Sequence, residues 1–183
     1  SCAERLTEMT VQLWELLKQK LLPTPAKFHY VLSLRDLGRV FLGLFLCPIA
    51  EVLESEAVLI SLWAHECERV FADRLVEHAD RQLFNKTLHK MLEEHFGKTR
   101  ADRVQKQPAF FADFMREPEE DPDTGEVFEA ERVYEPIPDL EALRDCVQYK
   151  MQSFNEAHGA HAVELILFND CLLYTSDAAD DSL

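Results

Sequence analysis

Glycine is scarce in this chain: 5 residues in 183 leave little material for glycine-rich phosphate loops or arrays of β-turns. Basic residues are also in short supply. There are 19 Lys and Arg against 34 Asp and Glu, a net charge of −15. Phosphate backbones are bound by clustered Lys and Arg, so this balance excludes nucleic acid as the main partner. It disfavours an anionic membrane surface for the same reason. No long hydrophobic run exists either. The longest, Val40 to Leu46, is interrupted by Gly43 and is far too short to span a bilayer. Five cysteines, an odd number without repeated spacing, do not make a disulfide framework, and a reducing, cytosolic setting fits them best. There is no signal-peptide pattern, and the chain begins at Ser1 without Met, which points to a fragment. What remains is an ordinary globular composition, 47% hydrophobic, of a length for one domain or one and a part.

The acidity belongs to a segment. Residues 1–116 hold 16 acidic and 16 basic residues, whereas residues 117–145 hold 12 acidic residues against Arg132 and Arg144 alone. The same stretch contains Pro118, Pro122, Pro136 and Pro138, so it reads as an extended, solvated connector.

Upstream of it the periodicity is helical. Leu6, Met9, Leu13, Leu16 and Leu17 share one face of a first helix, which ends before Pro23 and Pro25. Lys27 to Leu32 is too short to assign, although Phe28, Tyr30 and Leu32 alternate as in a strand. Ser33 with Asp36 three residues later forms a capping-box pattern that opens a second helix. Its expected apolar stripe is Leu34, Leu37, Phe41, Leu44 and Phe45, with Pro48 as the stop. A third helix is expected from Glu56 to Leu75, with Leu59, Leu62, Trp63, Cys67, Val70 and Phe71 inward. A fourth, capped by Asp80, carries Phe84, Leu88, Met91, Leu92 and Phe96, and Gly97 suits a left-handed C-terminal cap. Phe110, Phe111 and Phe114 suggest one or two helical turns. Asp139 restarts helix with Leu140, Leu143, Val147, Met151 and Phe154, and Ala162 to Phe168 is a further helix or strand. The fold class expected is therefore mainly α: a helical bundle, an extended acidic connector, and one or two further helices.

Several motifs lack the chemistry they suggest. Gly38 and Gly43 have phosphate-loop spacing, but Leu44 and Phe45 stand where Lys and a hydroxyl residue are needed. Close approach of helices is the better reading. His65-Glu66 begins like a zinc-peptidase helix, yet Arg69 replaces the second His, and one imidazole cannot build that site. Glu66–Arg69 and Arg69–Asp73 instead have ion-pair spacing on one helix face. His158 and His161, with Glu164 nearby, read as a surface pair rather than a metal site. No metal ligands and no catalytic residues are assigned.

Arg35 and Arg39 stand apart. They lie in the first turns of the helix that Ser33 caps, four residues apart. Helix N-termini attract anions, and guanidinium adds bidentate phosphate geometry. From composition alone, a solvated or salt-bridged face is the plainer reading.

These arginines close a longer pattern. Leu22-Pro-Thr-Pro-Ala-Lys-Phe-His-Tyr-Val-Leu-Ser-Leu-Arg-Asp-Leu-Gly-Arg39 resembles a signature of dynein heavy chains. Leu62-Trp-Ala-His-Glu-Cys-Glu-Arg-Val-Phe-Ala-Asp-Arg74 resembles a following helix of that family. Phe111-Ala-Asp-Phe-Met-Arg116, Tyr134-Glu-Pro-Ile137 and Phe154-Asn-Glu156 then come in the family's order. The resemblance covers about residues 5–170 and is strongest to axonemal, outer-arm heavy chains. The chain departs from the pattern at Ser33, Gly38 and Leu42, where Asn, Ser and Gln are common.

The resemblance implies a place in a motor ring. Residues 1–22 would lead into the α-helical lid of the third AAA+ module, residues 23–107. Residues 108–138 would be the connector, and 139–170 the opening of the fourth module. It implies an ATP-driven microtubule motor of the cytoskeleton, in cilia and flagella, with ATP or ADP and Mg bound only by the complete module. Arg35 would sense the γ-phosphate, with Arg39 second. The partners implied are neighbouring AAA+ large subdomains, microtubules and other dynein subunits. The fragment itself would bind no cofactor and would not hydrolyse ATP. The alternative is a free-standing helical interaction module. Cys171-Leu-Leu-Tyr-Thr-Ser-Asp-Ala-Ala-Asp180 resembles the translation of a sequencing-adapter transposon end, so residues 171–183 are expected to be a non-native tail.

Overall fold

The computed structural model describes residues 1–48, 55–106, 109–116, 119–120, 127–128, 130–137, 139–159 and 162–164. The chain divides into two compact units, Ser1–Phe110 and Phe111–Leu183.

The first unit is helical throughout. Its elements are α1 (Cys2–Lys20), α2 (Leu34–Leu46), α3 (Glu56–Cys67), α4 (His78–Phe96) and α5 (Lys98–Lys106), and a π-helical turn (Glu68–Ala72) continues α3. Helix α1 opens on a capping box between Ser1 and Glu4. It buries Leu6, Met9, Leu13 and Leu17 as the periodicity predicts, but Leu16 stays 37% exposed. Thr10 takes the remaining core position. Its hydroxyl accepts from Trp63 Nε1 at 2.8 Å and donates to the Leu6 carbonyl at 2.6 Å, so neither buried polar group is orphaned. Trp63, Phe71 and Phe84 are the largest side chains wholly inside this core.

Helix α2 buries a different arc from the expected stripe. Asp36, Val40 and Gly43 face inward, followed by Cys47, whereas Leu34 and Phe45 are 71% and 82% exposed. Leu37, Phe41 and Leu44 lie half-buried at the margin. The cause is steric and local. A Cβ at Gly43 would overlap the carboxylate of the fully buried Glu66, so only the bare glycine face lets α3 approach. Gly38, by contrast, meets open space and brings no helices together.

Helix α3 ends at Cys67, earlier than expected, because the chain widens into the π turn. There the Asp73 N–H reaches the Glu68 carbonyl at 3.2 Å. Val70 and Phe71 remain buried through this turn. Helix α4 is capped at Glu77, not Asp80, which sits in the first turn and faces other partners. Phe84, Leu88, Met91 and Leu92 are buried as predicted. Gly97 has φ 86° and ψ 157°, an extended conformation at positive φ and not the left-handed cap expected. That region is essentially restricted to glycine. It lets the chain restart at once as α5, a helix with no apolar stripe and one buried residue, Ala101.

The second unit holds short ladders and one helix among its described residues. Strand β1 (Phe111–Ala112) pairs antiparallel with β4 (Glu135–Pro136), and β2 (Glu119–Glu120) with β3 (Val127–Phe128). The helical turns expected at Phe110 to Phe114 are thus replaced by a strand, because its backbone partners lie some two dozen residues onward. The connector likewise contains strand pairings where a wholly extended, solvated chain was expected. Arg116 and Glu135 form an ion pair at 3.1 Å, and Phe111 and Tyr134 rings lie 5.8 Å apart. Helix α6 (Leu140–Ala157) is capped by Asp139, whose carboxylate accepts from Ala142 N–H at 2.7 Å. Leu143 is fully buried, Val147 and Met151 half-buried, and Phe154 44% exposed. Of the apolar element expected at 162–168, residues 162–164 are irregular and the rest lie outside the described residues, as does the tail 171–183. No helix among the described residues is long and apolar enough to cross a membrane.

Candidate functional site

The candidate site is the N-terminal turn of α2 and the strap, residues 21–33, that leads into it. The strap has no regular structure, so its backbone position is set by side chains. Lys27 Nζ lies 2.6 Å from Asp80 Oδ2 and 2.8 Å from Glu77 Oε2. Hydrogen bonds to Asp80, then to Glu77, hold the Lys27 ammonium well above its ordinary pKa. The Tyr30 hydroxyl donates to Asp80 at 3.0 Å and accepts from Val76 N–H at 3.0 Å. His29 Nε2 donates to the Arg74 carbonyl at 3.0 Å. The short Lys27-to-Tyr30 piece, unassigned in the sequence, is therefore neither strand nor helix. It is a run of anchors onto the first turn of α4 and the loop that precedes it.

Arg74 completes the attachment. Its Nε donates to Val70 O at 3.1 Å, Nη1 to Val31 O at 3.3 Å, and Nη2 to Asp36 Oδ1 at 2.7 Å. The other Asp36 oxygen accepts from the Ser33 N–H at 2.7 Å and the Ser33 hydroxyl at 2.8 Å, so the predicted capping box forms. Burial pushes the Asp36 carboxyl up, but hydrogen bonds from Ser33 and Arg74 outweigh it and hold the pKa below the usual value.

Arg35 and Arg39 are both exposed, one helical turn apart. Among the described residues Arg35 makes no hydrogen bond or ion pair. The adjacent acid is already engaged by Arg74, so the turn presents a helix N-terminus together with an uncompensated guanidinium. Phe28 and Val31 of the strap and Leu34 of the turn are 76%, 58% and 71% exposed. An anion with an apolar surround fits such a surface. The face supplies a cation but no loop of backbone N–H groups, so a phosphate held here needs further groups from elsewhere.

The other sequence candidates do not converge on this turn. Glu66 pairs with Arg69 at 2.8 Å, as the spacing predicted. Cys67 is fully buried and burial pushes its thiol far up, so it packs and does not react. His65 lines a separate cleft of about 150 Å³ with Glu68, Asn85 and His89. Burial, aided by the Arg69 charge, lowers its pKa to about 3. His158 is exposed and stacks on Phe154 at 4.4 Å, while His161 lies outside the described residues. No cluster of three or more His, Cys, Asp or Glu suited to a metal occurs among the described residues. Sequence reasoning missed Arg74, because its partner Asp36 lies 38 residues away and no local spacing links them.

Comparison with known proteins bears on the same residues. The AAA+ lid domain family matches residues 6–106. Dynein axonemal heavy chain 5 of Mus musculus is 39% identical over 174 residues, 93% of this chain and 4% of that protein. Dynein axonemal heavy chain 8 of Homo sapiens is 38% identical over 165 residues, 88% of this chain and 4% of the relative. The flagellar outer-arm dynein gamma chain of Chlamydomonas reinhardtii is 32% identical over 188 residues, 94% of this chain and again 4% of the relative. The chain thus spans only a small part of the relatives it matches. With its first unit matched almost from end to end, the chain belongs to the AAA+ lid domain family, in a form similar to that of axonemal dynein heavy chains.

Proposed function

We propose that this chain is the nucleotide-responsive lid and inter-module connector of an axonemal dynein heavy chain, an ATP-driven microtubule motor of cilia and flagella. In this reading residues 23–107 are the lid of the third AAA+ module, entered through residues 1–22. Residues 108–138 are the connector, residues 139–170 open the fourth module, and residues 171–183 are an adapter-derived tail. The partners are neighbouring AAA+ large subdomains of the same chain and, for the whole motor, microtubules and other dynein subunits.

One observation carries the proposal: Arg35 is exposed at a buttressed helix N-terminus whose neighbouring acid is neutralised from within. The turn's positive end and the guanidinium together favour the terminal phosphate of ATP held, with Mg, by a large subdomain. Arg39, one turn further, is the second contact. The large subdomain supplies the phosphate loop and the chemistry of hydrolysis, and the lid reports whether the γ-phosphate is present.

In a motor carrying this lid, Arg35→Ala should weaken ATP binding at that module by about tenfold, the loss expected for one charge-assisted hydrogen bond. Unchanged affinity and unchanged microtubule gliding overturn the sensor role. The isolated 183-residue chain should show no ATP hydrolysis, and measurable turnover by the pure chain refutes that part of the reading.

A further inference from the structure

We infer that Arg74 is the positioning residue for Arg35, acting through Asp36, so that the π turn and the nucleotide-facing turn of α2 move as one body. The inference rests on the sensor reading of Arg35 and adds a residue to it. Arg74 bridges three separate segments with one planar group. Its Nε takes the Val70 carbonyl in the π turn, Nη1 takes Val31 in the strap, and Nη2 takes Asp36 in α2. Val70 lies near the end of the α3 and π-turn helix, where carbonyls lack helical partners and carry the negative end of the dipole. Only a fork of fixed donors meets all three acceptors at once, and a lysine ammonium does not.

The Arg74 side chain also decides what Asp36 does. Asp36 is 6% exposed, next to Arg35 in sequence, and receives Arg74 at 2.7 Å. With Arg74 in place, the carboxylate is saturated inside the fold and the helix end stays cationic. Without it, a buried carboxylate keeps Ser33 alone, and relief comes only by turning the first turn of α2 toward solvent or toward its own arginines. Either movement displaces Arg35. The rest of the strap is pinned through Lys27, His29 and Tyr30, so the first turn of α2 is where the loss is felt.

The test uses a motor carrying this lid, with Arg74→Met, Arg74→Lys, Arg35→Ala and the Arg35→Ala/Arg74→Met double variant. Two readouts are taken: affinities for fluorescent ATP and ADP analogues, and hydrogen–deuterium exchange of the Ser33 and Leu37 amides, which donate to the Asp36 carboxylate and the Ser33 carbonyl. Arg74→Met should lower ATP-analogue affinity by about tenfold, with ADP changed less than about twofold and the double variant no weaker than Arg35→Ala alone. Arg74→Lys should fall between wild type and Arg74→Met, and it carries the test if the Met variant does not fold. Exchange at Ser33 and Leu37 should rise by about tenfold or more in both. Losses that multiply in the double variant overturn the inference, as does an unchanged ATP affinity alongside a working Arg35→Ala effect. If Arg35→Ala itself has no effect, the sensor reading fails. Positioning by Arg74 is then decided by exchange: faster exchange upholds it and unchanged exchange overturns it.

Discussion

The two ends of α2 are each held by a buried carboxylate paired with an arginine, and the pairs solve opposite problems. At the N-terminal end, Asp36 belongs to α2 and its arginine comes from 38 residues away, 2.7 Å distant. At the C-terminal end the acid is Glu66 of α3, paired at 2.8 Å with Arg69 one turn along its own helix. The first pair ties segments together. The second closes within one helix and sets a neutralised carboxylate where Gly43 can lie against it. A buried pair is weak evidence of stability in itself, since desolvation offsets much of the attraction. Its arrangement decides what it does. The clamp fixes where α2 begins, and the plug fixes which arc of α2 faces the core.

The largest effects should come from breaking the plug. Glu66→Ala removes the carboxylate from a largely buried pair, and removing one member of such a pair costs about 3–5 kcal/mol. Gly43→Ala should also destabilise, by about 1–3 kcal/mol, because its Cβ overlaps a fully buried carboxylate that must shift out of its place beside Arg69. Together they should not add. With Glu66 shortened, alanine at position 43 fills part of the void, and the Gly43→Ala change should become stabilising. Urea denaturation followed by fluorescence of the buried Trp63 measures the cycle. Simple additivity of the two changes contradicts the steric account of how α2 is oriented.

The same contrast explains what could be read in the sequence. Features closed within one turn were legible: the Ser33–Asp36 capping box, the Asp139 cap, the Glu66–Arg69 pair, and the α4 core positions. Features that need a distant partner were not. The arc of α2 is chosen by Glu66, which no periodicity in residues 34–46 reports. Phe111 is in a strand because Pro136 pairs with it. Helix α5 escaped because Ala101 is its one buried residue, leaving no apolar stripe to detect. For the candidate site, the exposed position of Arg35 followed from the cap and the helical phase. Its buttress, Arg74, depended on the fold.

Acid should separate the two ends by pH. Beside the plug, His65 has its pKa lowered to about 3 by burial and by Arg69. The folded state therefore binds this proton less readily than the unfolded chain, whose histidine titrates near its ordinary value. Stability from this group is fully present above about pH 6.5 and declines as pH falls toward the folded value, by about 2 kcal/mol at pH 5. Asp36 is also lowered, so its contribution persists until pH drops below the ordinary aspartate range. Glu68, raised by burial and by Asp73, slopes the opposite way, so the comparison must be against His65→Leu rather than wild type alone. The difference in unfolding free energy between the two should shrink from pH 7 to pH 5. A constant difference means the imidazole is solvated.

The smallest effect isolates the comparison to a single helix. Gly38 lies on α2 five residues before Gly43, and both lack a side chain, but an added methyl at Gly38 meets nothing within 4 Å. No packing term opposes the gain in helix propensity there, so Gly38→Ala should stabilise the chain by up to about 1 kcal/mol. The same substitution at Gly43 carries the same propensity gain and should still destabilise. Subtracting one from the other removes the backbone contribution and leaves the contact with Glu66 alone. Equal effects at the two positions, measured by the same denaturation, mean that α2 is not seated on Glu66 and that its buried arc has another cause. Opposite signs show that one glycine is a packing requirement and the other a removable weakness in the helix that carries Arg35.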